Sequence, residues 1–342
     1  MKRLLNTLFV TTQGAYLSKE GETVLVNVEK ETKLRVPIHN LGSIVCFGNV
    51  GCSPFLMGLC GERNVTLSFL TEHGRFLARV HGPVHGNVLL RREQYRRADD
   101  PAACEQVARA VVTAKVANCR VVLQRAVRDK AELADTPIPQ TLEEMLSHLQ
   151  ELQNVEDLDR IRGIEGIAAS AYFGVFDHLI AANKDHFFFK ERSRRPPLDN
   201  VNALLSFLYT LLVHDVESAL EAVGLDPGVG FLHRDRPGRP GLALDLMEEL
   251  RPYLADRLAL SLINRQQVKS AGFTKQESGA VMMDDDTRKT VLVAWQERKK
   301  EEITHPFIQE KMEIGLLPHV QAMLLARHLR GDLEGYPPFL WK

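Results

Sequence analysis

The 342-residue chain changes its hydrophobic period partway along, and that change limits its possible folds more than any single motif does. From Asn6 to about Val80 the apolar residues fall in short β-rich segments between turn residues: Leu8 to Thr11, Ala15 to Lys19, Thr23 to Glu29, Lys33 to Pro37 and Ser43 to Phe47. This pattern predicts a small sheet domain. Ser53-Pro54 places a capping hydroxyl before a proline at the first helical position, so one short helix is expected over Phe55 to Arg63. Thr66 to Leu70 and Phe76 to Val80 return to strand character around the turn at Thr71 to Gly74. After His81-Gly82-Pro83 the period becomes three to four residues over long stretches without Gly or Pro, as amphipathic helices require. Helices are predicted from the Asp100-Pro101 cap to about Lys130, and near Thr141 to Gln153, Val155 to Ala182, Leu198 to Val223 and Leu242 to Ile263. The expected class is α+β, with a small N-terminal β-rich sheet domain (1–85) followed by a larger all-α domain (86–342) and no internal repeat.

Composition enters as a set of exclusions. Hydrophobic residues at 44% and charged residues at 25% rule out disorder and low complexity. Lys+Arg 43 against Asp+Glu 44 rules out a uniformly basic nucleic-acid coat, but the charge is segregated. Twelve Arg/Lys face six acids between Glu72 and Lys130, whereas nine acids face Arg160 and Arg162 between Ala131 and Glu165. The five cysteines are odd in number with no C-x-x-C pair, which fits a reduced intracellular protein. The start resembles a signal peptide, but its apolar run breaks at Asn6, and no run approaches the ~18 apolar residues of a membrane span. The expectation is a cytoplasmic protein with no membrane association.

Three segments carry chemistry. Glu165 lies on a helical stripe with Leu158, Ile161, Ala168, Tyr172, Val175 and Leu179, which puts a carboxylate in a core-facing slot. It must be protonated, salt-bridged or bound to a cation, unless the stripe is displaced by one residue. Next, Gly230-Phe231-Leu232-His233 leads through a Pro/Gly/Arg loop to a helix on which Asp245 and Glu248, three apart, share a face that Glu249 joins. A loop histidine with two helical carboxylates suits a divalent cation; the plainer account is acids at a helix N-terminus and a surface histidine. Third, Arg192, Arg194 and Arg195 precede Pro196-Pro197 and a helix that Asp199 or Asn200 can cap, where a phosphate could be held. His233-Arg234-Asp235 spells the protein-kinase catalytic triplet, but position 240 is Pro and no D-F-G occurs, so that reading is rejected. The scattered pairs Asp177-His178, Asp185-His186 and His214-Asp215 leave an HD-type metal phosphohydrolase as an alternative.

Taken in order, the Glu165 helix, the R-R-P-P-L-D-x-x-N-A-L-L-S-F-x-Y segment and the G-F-L-H…D-L-M-E-E-x-R-P segment resemble the integrase family of CRISPR adaptation, the first-numbered protein of the Cas series. The resemblance spans the chain and takes in Val36-Pro37 to Ile44-Val45; the ending from Leu329 to Lys342 is similar to the subtype I-C branch. It implies a metal-dependent DNA endonuclease that inserts short foreign DNA fragments into the CRISPR array by 3′-hydroxyl attack on a phosphodiester. Its implied metal ligands are Glu165, His233 and Glu248, with Asp245 as a fourth catalytic acid that holds a second ion, orients a ligand or accepts a proton. Glu248 stands where some members have Asp.

Two carboxylates and an imidazole would leave open positions on an octahedral Mg or Mn ion. Implied partners are double-stranded DNA (spacer precursor and CRISPR repeat), a second copy in a homodimer formed partly through the sheet domain, and a small second Cas protein bridging two dimers. Arg192, Arg194, Arg195 and the basic residues from 75 to 130 are the DNA-contact candidates. The non-enzymatic alternative is a DNA-binding scaffold whose acids only form internal salt bridges.

Overall fold

Alternation of apolar side chains sorts the first strands into two sheets. The computed structural model describes residues 5–80, 82 and 88–341. β1 (Asn6–Val10), β5 (Leu41–Phe47), β7 (Thr66–Leu70) and β8 (Phe76–Val80) form one sheet in the order β1-β5-β7-β8, parallel except for the β7/β8 hairpin. β2 (Tyr16–Glu20), β3 (Thr23–Val28), β4 (Glu31–Pro37) and β6 (Gly51–Cys52) form the other, in the order β4-β3-β2-β6. Leu17, Val24 and Val26 from one sheet and Val10, Ile44 and Leu67 from the other are buried in a common core with Leu56, Leu59 and Cys60 of α1 (Pro54–Glu62). Ser53 caps α1 as expected, accepting from Leu56 N at 3.2 Å.

The chain divides into two compact units, Met1–His85 with Met283–Lys300, and Gly86–Met282 with Glu301–Lys342. The expected boundary near residue 85 falls outside the described residues. The first unit also takes in α9 (Asp285–Lys300), which lies along β1 and buries Val291, Leu292 and Trp295. Arg288 of α9, itself buried, lies 3.0 Å from His73 Nδ1 in the β7–β8 turn. A single cut in the sequence cannot show such a return of the chain.

The second unit is built on α3 (Pro101–Asp129), against which α2 (Val88–Ala98), α4 (Ile138–Leu152), α5 (Leu158–Gly174) and α7 (Gly241–Glu248) pack. Asp100 caps α3, accepting from Ala102 N at 3.0 Å, and no Gly or Pro interrupts the helix before Asp129. α6 (Asn200–Val223) starts at the Asp199 cap and ends at Gly224, which takes φ 88° where a side chain would be strained.

Two predicted helices are shorter than expected. The one from Val155 stops at Gly174 and gives way to a 3-10 turn, Phe176–Leu179. The one from Leu242 is divided into α7, a π-helical turn Arg251–Asp256 and α8 (Arg257–Asn264), because Pro252 has no N–H for the carbonyl one turn earlier. After α8 come two small ribbons, β9 (Phe273–Lys275) with β10 (Val281–Met283) and β11 (Glu302–Thr304) with β12 (Lys311–Glu313), and then α10 (Leu317–Leu329). The larger part is therefore helical, as expected, with two short ribbons added to it.

α6 is long and apolar enough, by length and composition, to cross a membrane, a property that uninterrupted apolar runs do not reveal. It packs against α10 and α7, and 61% of its most apolar window is buried inside the protein.

Candidate metal centre

The loop between α6 and α7 delivers His233, and buried groups hold it in shape. Gln94 of α2 donates from Nε2 to the carbonyls of Asp226 and Val229, both at 2.8 Å, and accepts from Asp226 N at 2.9 Å. A Cβ on Gly230 would lie 2.6 Å from Asp245 Oδ2, and one on Gly241 would lie 2.7 Å from Gly228 O, so the loop can approach α7 only with glycine at both positions.

Asp245 is what this close approach serves. Its Oδ2 accepts from the backbone N–H groups of Phe231 (2.6 Å) and Leu232 (3.0 Å), while Oδ1 accepts from His233 N (3.0 Å) and lies 2.6 Å from His233 Nδ1. These four contacts occupy the acceptor sites of both carboxylate oxygens. With Nδ1–H donated to Asp245, His233 presents the bare Nε2 on its other edge, 3.9 Å from Glu248 Oε1. Asp245 thus ties the loop backbone and the His233 ring to α7. Asp245 and Glu248 occupy the later turns of α7, whose first turn carries no acid, so the helix-dipole account of this segment fails.

Glu165 and Glu248 meet on Lys115, a residue that sequence reasoning counted only as one of many DNA-contact candidates. Lys115 is 7% exposed on the buried face of α3. Its ammonium pairs with Glu165 Oε1 and lies 2.6 Å from Glu248 Oε2, while Arg251 Nη1 lies 2.6 Å from Glu248 Oε1. Burial alone would raise the Glu248 carboxyl; Arg251, Lys115 and His233 outweigh it and bring it down to about 2. Burial opposes the Lys115 charge as well, but Glu248 and Glu165 keep its pKa above the ordinary value. The stripe on α5 is buried as expected at Ile161, Ala168 and Tyr172, and departs from the expectation only at the Glu165 slot. Ile164 is fully buried, and Glu165, at 28% side-chain exposure, lies at the edge, paired with a lysine of the neighbouring helix.

The remaining candidates separate. Glu249, expected on the same face as Glu248, points away and accepts from Tyr336 Oη (2.5 Å), Gln321 Nε2 (3.0 Å) and Phe339 N (2.7 Å). Arg192 is committed inward, donating to Asn202 Oδ1 (2.6 Å) and Ser206 Oγ (3.2 Å) with its guanidinium 5.3 Å from the Tyr209 ring; Arg194 and Arg195 are exposed. Asp177 accepts from Phe189 N and Lys184, and His214 lies beside Glu217, so the His-Asp pairs do not converge. A cavity of about 300 Å³, lined by Lys115, Lys190, Arg192, Arg194, Tyr209 and Arg251, shares Lys115 and Arg251 with the carboxylates. Tyr209 Oη donates to buried Asp256 at 2.6 Å. The R-P after the two glutamates was the available signal for Arg251; Lys115 and Gln94 had none beyond a polar residue on an apolar stripe.

Among the described residues no three His, Cys, Asp or Glu side chains stand as a ready cage for an ion. The donor set nevertheless fits a hard divalent cation. Glu248 Oε2 is buried without a well-directed hydrogen bond, two carboxylates already share a cation in Lys115, and a tautomer-fixed imidazole stands beside them.

The sequence profile of a family described as CRISPR associated protein Cas1 matches residues 8–297. The chain is 57% identical over 343 residues to a CRISPR-associated endonuclease Cas1 from Chlorobaculum tepidum, covering 100% of both chains. Its fold is similar to that of a casposase bound to integration product (21% identity, TM-score 0.84, 99% of this chain and 95% of that one). It is similar too to a chain of a Cas6-RT-Cas1–Cas2 complex (21% identity, TM-score 0.83, 99% of this chain and 36% of that one).

Proposed function

The chain belongs to the CRISPR-associated Cas1 family, and from that premise we propose that it is a metal-dependent DNA endonuclease and integrase that inserts short foreign DNA fragments into a CRISPR array. The observation that supports the metal-dependent part is the meeting of Glu165 and Glu248 on buried Lys115, with the Asp245-oriented His233 3.9 Å from the other oxygen of Glu248. Glu165, His233 Nε2 and Glu248 would hold the ion, with Mg or Mn the ions this donor set suits. When bound, such an ion supplies Lewis-acid polarisation of the scissile phosphate and a lower pKa for the attacking water or DNA 3′-hydroxyl.

The protein's own groups do the rest. Asp245 fixes the imidazole tautomer and leaves Nε2 free. Arg251 and Lys115 keep Glu248 ionised. The basic cavity beside them, with exposed Lys190, Arg194 and Arg195, offers cations to a DNA backbone without reading its sequence. Double-stranded DNA, a homodimer partner and a small Cas2-type protein are the partners this reading takes, a complex with Cas2 being named for a protein of the same fold. It places the protein in the cytoplasm, in keeping with five free cysteines.

The test is nicking and strand transfer on duplex DNA with Mn or Mg. Glu165→Ala, His233→Ala and Glu248→Ala are each expected to bring both activities to background while DNA binding persists. A scaffold whose acids only pair internally would show no metal-dependent nicking even in the wild type.

A further inference from the structure

Lys115 stands where sequence pattern and energetics both call for an apolar residue. Its neighbours on the buried face of α3 are Val111, Val112, Ala114 and Cys119, and a lysine placed there is tolerated only if its charge is met. The charge is met by two carboxylates from different helices, Glu165 on α5 and Glu248 on α7. Brought together without a cation, those carboxylates would repel, and one would take up a proton. Arg251 does not replace the lysine, because it reaches Glu248 through the other oxygen and makes no ion pair with Glu165.

We propose that Lys115 is a built-in counter-cation that holds the ion's place between Glu165 and Glu248 in the metal-free protein, and that must leave the two carboxylates for a divalent ion to bind. The inference rests on the reading of this cluster as a metal centre and adds a residue that sets its affinity. An ammonium on a flexible four-carbon stem suits the role better than a guanidinium fork, since it can be exchanged without rebuilding a bidentate pair. The structure also offers it somewhere to go: the adjoining cavity is lined by Lys115 itself and by Glu191 and Asp256, two acceptors for a displaced ammonium. Every ion bound therefore works against the Lys115 pairings, and the site is held open and charged at the expense of affinity.

The experiment is a calorimetric titration of the full chain with Mn alone at pH 8, where proton competition is small, on wild type, Lys115→Met and Lys115→Arg. Lys115→Met should bind Mn about tenfold or more tightly, the scale on which one adjacent charge biases a carboxylate, and should melt at a lower temperature without metal. Lys115→Arg, which keeps the charge, should bind no more tightly than wild type. Equal or weaker Mn binding by Lys115→Met overturns the proposal. Absence of Mn binding by the wild type overturns the metal-centre reading, and the proposal falls with it. Should Lys115→Met not fold, wild type alone decides: saturating Mn should speed modification of Lys115 by an amine-directed reagent, and an unchanged or slower rate overturns the exchange.

Discussion

Glu248 and Glu249 are consecutive in the chain and both buried, yet they end in opposite states. Glu248 faces Lys115, Arg251 and His233 and is held down to about 2, whereas Glu249 faces Tyr336, Gln321 and Phe339 N and is pushed up to about 7. Desolvation is the largest influence on each and raises both; the partners decide the outcome. Charged partners make a carboxylate that can ligate a cation, and neutral donors make one that ties structure together. Glu249 ties a great deal. Through Gln321 it reaches buried His305, and Asn118 links the Glu249 carbonyl to Phe339 O and Trp341 N, fixing the 336–341 segment on the α3–α7 core.

The largest expected effect short of losing a ligand is on the cation side. Asp245→Asn keeps the size of the side chain but loses a charged acceptor for three backbone N–H groups and the imidazole, so Mn affinity and nicking should fall about 10–100-fold, as is usual for groups that orient a metal ligand. Unchanged Mn affinity would show that the His233 orientation does not depend on this carboxylate.

On the structural side, Tyr336→Phe removes a 2.5 Å bond to Glu249 and should lower stability by about 1–2 kcal/mol in denaturant unfolding, with Mn affinity kept. A large loss of Mn affinity with little loss of stability would erase the distinction between the two glutamates.

Another buried carboxylate, Asp256, lies between these extremes: burial raises it, Tyr209, Arg251 and Arg192 oppose, and it stands at about 6 against an ordinary 3.8. Its folded-state pKa is raised, so the folded chain binds the proton more tightly between those values, and stability relative to Asp256→Asn should fall as pH rises from about 4 to about 6, then level off. The full drop is about 3 kcal/mol at most. A stability difference independent of pH over that range would mean that Asp256 is ionised throughout.

Much of this was legible in advance because local rules and the fold agree. The caps at Ser53, Asp100 and Asp199 and strands β7 and β8 fall where turn chemistry and alternation put them. The motif order brought Glu165, His233 and Glu248 forward as a set. What stayed hidden was relational. Three-residue spacing put Asp245 and Glu248 on one face of α7, but only the closeness of the 228–233 loop shows that Asp245 is consumed by backbone N–H groups. Lys115 was one basic residue among twelve in its region until α5 and α7 were packed against α3. Arg192 belonged to an exposed-looking run until Asn202 and Ser206 turned it inward.

The most direct test of the account is Mn binding by calorimetry to Glu248→Gln and Glu249→Gln side by side at neutral pH. Glu248→Gln is expected to lose measurable binding, while Glu249→Gln, an amide replacing a carboxylate that contacts only neutral donors, is expected to bind Mn within about threefold of wild type. Wild-type binding by Glu248→Gln, or equal losses in both variants, would contradict the assignment of the cation site to the Lys115–Glu248 side of this pair.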